Sequence, residues 1–201
     1  RRRSEAFFAD AAGRWDELCE QLFGPSASFG PLLGLLDSDW VVGDLGAGTG
    51  AFSEMVAPFV RRVIGIDRSA EMLAAARLRL EAADNVELRQ GNLELLPIAD
   101  GELNLAVLGL VLHYVVDPAL VLNEVHRALR PGGRVIVVDM RAHERGHGYA
   151  EDMGHVWPGF ELSQVAQWLA DAGFDAARTQ PLRPEASASG PLLFLASAER
   201  S

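Results

Sequence analysis

The sequence contains no lysine; all 18 of its basic residues are arginine. Dehydrogenase chemistry built on a Tyr/Lys pair is therefore excluded. Cysteine is almost as scarce. Cys19 stands alone, so the chain holds neither a disulfide framework nor a cysteine zinc site, and a reducing cytoplasm is the compartment this fits. Basic charge is outnumbered by 28 acids, leaving a formal net charge of −10. Such a surface does not grip nucleic acid by its phosphates; it serves solubility first and tolerates a neutral or cationic ligand. Long apolar runs are missing as well. The stretch Leu103 to Val116 is interrupted by Asn104 and His113 and is too short to span a bilayer. Arg1-Arg2-Arg3 opens the chain, but no apolar core and small-residue cleavage site follow, as a secretory signal requires. The absence of an initiator Met suggests the back part of a longer protein.

What the chain does have is 201 residues, 49% of them apolar, enough for one domain with a sizeable core. Its organising stretch is Val41-Val42-Gly43-Asp44-Leu45-Gly46-Ala47-Gly48-Thr49-Gly50. An apolar run ends in an acid, alternate glycines follow, and a helical pattern begins at Ala51. The pattern predicts a buried strand, a tight turn and a helix N-terminus, with glycines where a ligand approaches the backbone. A lone glycine fingerprint is weak. Here Val63-Ile64-Gly65-Ile66-Asp67 supplies a second strand-end acid, 21 positions after Gly46, near the roughly 20-residue offset of a ribose-binding carboxylate. Arg89-Gln90-Gly91-Asn92-Leu93 closes a third strand-like run. A dinucleotide fingerprint needs Gly-x-Gly-x-x-Gly, and Gly50 arrives one residue early.

In chain order, residues 5–23 predict an amphipathic helix with Phe8, Ala11, Trp15, Leu18 and Leu22 on one face, either a packing helix or a lid, and 29–36 a second short helix. Strands are expected at 40–45, 62–66, 86–90, 103–108, 134–139, 174–179 and 192–198. Helices are expected at 51–58, 70–82, from Asp117-Pro118 to Leu129, and at 162–172. Ser69 and Asp117 are N-cap residues, and Pro118 suits a first helical position. Leu73, Ala76 and Leu80 point inward from the second of these helices; Val165, Trp168, Leu169 and Ala172 do so from the last. Residues 92–101, 141–160 and 181–191 are loops. Alternating strands and helices predict an α/β fold with a mostly parallel sheet. The last two strands, joined without a helix, predict a hairpin and an antiparallel final strand.

Four motifs in order, Asp44–Gly50, Gly65-Ile66-Asp67, Gln90–Leu93 and Ala128-Leu129-Arg130-Pro131-Gly132-Gly133, resemble the class I S-adenosylmethionine-dependent methyltransferases, in the subgroup likened to ubiquinone/menaquinone biosynthesis methyltransferases. The resemblance covers roughly 36–198. It implies a Rossmann-like seven-stranded sheet with an antiparallel last strand over 37–201, preceded by an N-terminal helical extension at 1–36. A narrower likeness rests on Phe7-Phe8, Gly13-Arg14-Trp15-Asp16, Met153-Gly154-His155-Val156-Trp157 and Gly159-Phe160. These are similar to the methyltransferase half of ArsR-type winged-helix repressor fusions, in which a DNA-binding domain precedes the methyltransferase domain.

The resemblance implies that S-adenosylmethionine is bound by Asp44, Gly46, Ala47, Gly48, Gly50, Asp67, Arg68, Met72, Asn92, Leu93 and Gly109. Asp44 would support the amino end, Asp67 would take the ribose hydroxyls, and Leu93 N–H would meet the adenine ring. Asn92 stands at the adenine edge where the family usually has Asp; its carbonyl oxygen still accepts from an exocyclic amine. Trp15, Tyr114, His147, Tyr149 and Trp157 are the candidate acceptor-pocket residues, with packing roles as the alternative. His143, His147 and His155 near Glu144, Glu151 and Asp152 are too loosely spaced for a metal site, and no metal is expected. His113 and His155 are the candidate proton acceptors, needed only if the acceptor must lose a proton. Three functions follow: methyl transfer to a small-molecule acceptor, in the cytoplasm and without membrane or nucleic-acid contact, with a homodimer permitted; a sensor of S-adenosylmethionine or S-adenosylhomocysteine attached to a repressor; and a scaffold without cofactor, which intact Asp44, Gly46, Gly48 and Asp67 argue against.

Overall fold

The computed structural model describes Gln21 and residues 30–143, 154–184 and 189–201. The chain divides into two compact units, Arg1–Asp37 and Ser38–Ser201. In the first, the described helix is α1 (Gly30–Leu33), shorter than the 29–36 expected. The expected helix at 5–23, with Trp15, lies outside the described residues apart from Gln21, which is helical.

The second unit alternates as the sequence predicts. β1 (Val41–Leu45) leads through the glycine turn into α2 (Ala51–Val56). Pro58 follows in a short tight turn at Ala57–Phe59, which ends the helix two residues before the expected 58. β2 (Arg62–Asp67) precedes α3 (Ala70–Arg79). Ser69 Oγ accepts the Met72 N–H at 3.1 Å and caps α3, and Leu73, Ala76 and Leu80 are buried beneath it. β3 (Val86–Gln90), β4 (Leu103–Gly109), α4 (Pro118–Ala128) and β5 (Leu129–Met140) follow. Asp117 Oδ1 accepts the Leu120 N–H at 3.0 Å, with Pro118 at the first helical position. α4 buries Val121, Leu122, Val125 and Ala128, one stripe of a 3.6-residue period; each Val or Leu contributes about 1.5–3 kcal/mol by leaving water. The chain closes with α5 (Leu162–Asp171), β6 (Phe174–Pro181) and β7 (Leu193–Arg200).

The described strands form a seven-stranded sheet in the order β3-β2-β1-β4-β5-β7-β6. β1 to β5 pair in parallel, while β7 pairs antiparallel with both β5 and β6. Val42, Leu45, Val63, Ile64, Ile66, Leu103, Leu108, Leu129, Val135 and Val137 are fully buried, as parallel strands covered on both faces require.

The start of β5 and the stretch after β4 carry the differences that bear on the site. β5 starts at Leu129 rather than Arg134, because Leu129 pairs with Leu103 before a register shift brings Arg134 opposite Leu105. Pro131-Gly132-Gly133 thus lies in an irregular strand entry. β4 ends at Gly109, one residue past the expected 108, and His113 and Tyr114 lie beyond it in a separate helical turn, Leu112–Tyr114. The break is a positive φ of 54° at Leu110, held where its N–H donates to Val138 O at 2.7 Å.

Candidate active site

β1 lies between β2 and β4. Chain connections leave β1 for one side of the sheet and return at β4 on the other, which opens a crevice beyond the strands' C-terminal ends. A cavity of about 600 Å³ lies there, within the range of small-molecule sites.

The glycine turn forms its floor. Gly46 and Ala47 N–H both donate to Ile66 O at 2.8 Å, tying the turn to β2. Gly46 has φ 87°, and a Cβ there would stand 2.5 Å from Val111 Cγ2. Gly48 has φ 54° and faces open space, on the cavity wall. Gly50 is different: a Cβ would meet Leu80 Cδ1 at 2.8 Å, so this glycine admits α3, and it is not on the cavity wall.

Asp67 ends β2 beside the turn. Its Oδ2 accepts the Gly48 N–H and its Oδ1 the Ser69 N–H, each at 2.8 Å. These bonds fix the carboxylate's plane and leave each oxygen a further lone pair for a ligand. Asp44 lies buried below the turn, where Ser53 Oγ donates to its Oδ2 at 2.7 Å. Burial pushes its carboxyl above the ordinary value, against the lowering effect of the Ser53 bonds.

Of the residues singled out in sequence, Gly46, Ala47, Gly48, Asp67, Arg68 and Met72 line one part of the cavity. Asn92, Leu93, Gly109 and Tyr114 line it as well. Asp44, Gly50, His113, His155 and Trp157 do not reach its wall. Trp157 packs with Phe160 and Trp168, ring centroids 5.8 and 5.9 Å away, and its Nε1–H donates to Val115 O at 3.0 Å. Trp15, His147 and Tyr149 lie outside the described residues, as do most of the residues behind the repressor-fusion likeness. Ser69, Glu94, Leu110, Val111, Val115 and Val116 line the cavity without having been singled out. For Leu110 to Val116 the signal was present: they directly follow Gly109, on the connection where such sites form.

Behind the cavity, His113 Nδ1 lies 2.7 Å from Asp139 Oδ1, both residues buried. The His113 ring stands 4.2 Å from that of Tyr114 and 4.5 Å from that of His155. Burial holds His155 below its ordinary value, and the neighbouring His113 adds to this.

A cradle of open glycine backbone beside a fixed carboxylate fits a nucleoside carrying vicinal hydroxyls. The family model described as a methyltransferase domain matches residues 43–137, a span running from within β1 into β5. Residues 43–137 are a methyltransferase domain, the family that the sequence motifs resemble. The chain is 41% identical over 102 residues to a demethylmenaquinone methyltransferase of Lactococcus lactis, covering 48% of this chain and 40% of that one. It is 36% identical over 151 residues to an arsenite methyltransferase of Halobacterium salinarum, covering 69% of this chain and 38% of that one. The chain thus spans about two fifths of the length of these curated relatives. The fold of the solved S-adenosylmethionine-dependent methyltransferase from Mesorhizobium loti matches with a TM-score of 0.70 at 24% identity, over 85% of this chain and 96% of that one.

Proposed function

We propose that the cavity holds S-adenosylmethionine and that the chain transfers its methyl group to a small-molecule acceptor. The observation that carries this reading is the Gly48–Asp67 bond, which places a ligand-facing carboxylate and bare glycine backbone on one floor at the sheet's crossover. Asp67 takes the ribose hydroxyls through charge-assisted hydrogen bonds. Asn92 and Leu93 meet the adenine edge, and Arg68 and Met72 border the nucleoside. Asp44, beneath the turn, supplies negative charge toward the ammonium of the methionine part, which offsets the desolvation that burdens it. Gly109, exposed at the end of β4, leaves room beside the reacting methyl, and Tyr114 stands on the acceptor side.

S-adenosylmethionine supplies a methyl already activated on a sulfonium, so the protein's task is alignment and exclusion of water. For an acceptor that must lose a proton, His113 and His155 are the candidate bases, packed against the cavity-lining Tyr114 rather than on the wall itself. Relatives named for demethylmenaquinone and arsenite support a small-molecule acceptor, and the net charge of −10 argues against a nucleic-acid one. The lone cysteine supports a cytoplasmic setting. No helix among the described residues is long and apolar enough to cross a membrane.

Isothermal titration calorimetry with S-adenosylmethionine and S-adenosylhomocysteine tests the reading, on the native chain and on Asp67→Ala. The expected result is micromolar or tighter binding to the native chain and loss of binding in the variant. Well-folded native protein that binds neither ligand would overturn it.

A further inference from the structure

Gly109 and Leu110 stand in the reverse of the order that the fold alone favours. Gly109 ends β4 without a left-handed backbone, and a Cβ there would meet nothing within 4 Å. A side chain would fit that position. Leu110 follows with φ 54°, a conformation that glycine adopts freely and an L side chain resists. Its N–H bond to Val138 O is one that a glycine would make equally well. Nor does the core need the leucine, which is 47% exposed. Both residues line the cavity. Backbone strain of this kind collects where a ligand is held, so the bare position and the filled one answer to what the cavity contains.

The stretch that carries them is apolar. Val111, Val115 and Val116 line the cavity beside Leu110, and Tyr114 is the one polar side chain that this stretch adds to the wall. The charged side chains on the wall among the described residues, Asp67, Arg68 and Glu94, come from the far end of β2 and from the loop after β3. The two carboxylates are already engaged: Asp67 by the Gly48 and Ser69 N–H groups, and Glu94 Oε1 by the Val116 N–H at 3.3 Å.

We propose that Leu110 is a specificity-determining residue, whose side chain supplies the apolar contact that selects an uncharged, apolar acceptor, while Gly109 beside it leaves the space that the acceptor enters. This rests on the methyl-transfer reading. A charged acceptor would lose its water against Leu110 and Val116 and gain no counter-charge from that stretch, so the same wall that holds an apolar molecule rejects an ion.

The test reads stability and probe binding together in the full chain, with the cofactor end filled by S-adenosylhomocysteine. The probes are para-butylphenol, para-butylbenzoate and para-butylbenzylammonium, which share a stem and differ in charge. Calorimetry measures each on native protein, Leu110→Gly and Leu110→Asn. Glycine and asparagine both accept a left-handed backbone, and asparagine nearly keeps the size of leucine. Native protein is expected to bind the phenol about tenfold more tightly than either ion. Both variants are expected to keep a urea midpoint no lower than native, with S-adenosylhomocysteine affinity unchanged, and to bind the phenol about fivefold more weakly. Lower midpoints in both variants, phenol affinity that the substitutions leave unchanged, a charged probe bound as tightly as the phenol, or no phenol binding to native protein each overturn the proposal. The native protein's preference among the probes is read even if a variant fails to fold. Absence of S-adenosylhomocysteine binding to native protein strikes at the cofactor reading instead.

Discussion

At the scale of single residues, two glycines of one turn differ in what limits them. Gly46 is closed by Val111 and also has a positive φ. Gly46→Ala is expected to cost about 2–4 kcal/mol of stability through overpacking and left-handed strain, read as a lower urea midpoint. Gly48 has open space, so Gly48→Ala meets only the conformational cost, about 1–2 kcal/mol. Its methyl, however, would occupy the cavity floor, and S-adenosylhomocysteine affinity is expected to fall about tenfold, ~1.4 kcal/mol, by calorimetry. Asp44 gives a pH prediction. Its folded value is raised above the ordinary 3.8, so the folded chain holds this proton more tightly than the unfolded one. Stability is lost as pH climbs from the ordinary to the folded value. Asp44→Asn removes that loss, and thermal melts of unliganded protein at neutral pH are expected to show a higher midpoint than native, alongside weaker S-adenosylmethionine binding. Asp44, Gly46, Gly48 and Asp67 were legible in sequence because strand-end acids and alternate glycines are local patterns. Ser53 as the partner of Asp44, and Val111 as the neighbour of Gly46, arise only when α2 and the stretch after β4 fold back onto the turn.

At the scale of elements, α4 has a designed start and a borrowed end. Asp117-Pro118 made the start readable. The end is held by Arg200 from β7, whose guanidinium donates to the carbonyls of His126, Arg127 and Leu129. These are among the groups a helix terminus leaves unsatisfied. Arg200→Leu is expected to cost about 1.5–3 kcal/mol, as charged hydrogen bonds do, lowering the urea midpoint while leaving S-adenosylhomocysteine affinity intact. No sequence rule couples residues so far apart. The same holds for the turn after β4 and for the start of β5. Leu103 to Val116 reads as one apolar run; its strand ends at Gly109, one residue past the expected 108, but nothing in its hydrophobicity marks the helical turn Leu112–Tyr114. Asp139 holds that turn from a distance by accepting the Leu112 N–H. Likewise Leu129 to Gly133 resembles a helix stop, and becomes strand because β4 offers it a partner.

At the scale of the molecule, ligand and fold are linked. A ligand that binds only the folded chain stabilises it by about 2.7 kcal/mol at a hundredfold excess over Kd. For a chain of this size that corresponds to a melting shift of about 5–10 °C. S-adenosylhomocysteine is expected to produce such a shift in native protein and none in Asp67→Ala, by differential scanning fluorimetry. The parallel sheet and its antiparallel final strand were legible because helices separate the early strands and a loop joins the last two. The path of that final strand has a consequence for biosynthesis. β7 follows every other described strand in sequence, yet its place is internal, between β5 and β6. While the nascent chain emerges from the ribosome, β6 has nothing to pair with and β5 keeps an open edge. Both edges close together when β7 is released, so the half-made protein passes through a window in which exposed strand edges invite misassembly.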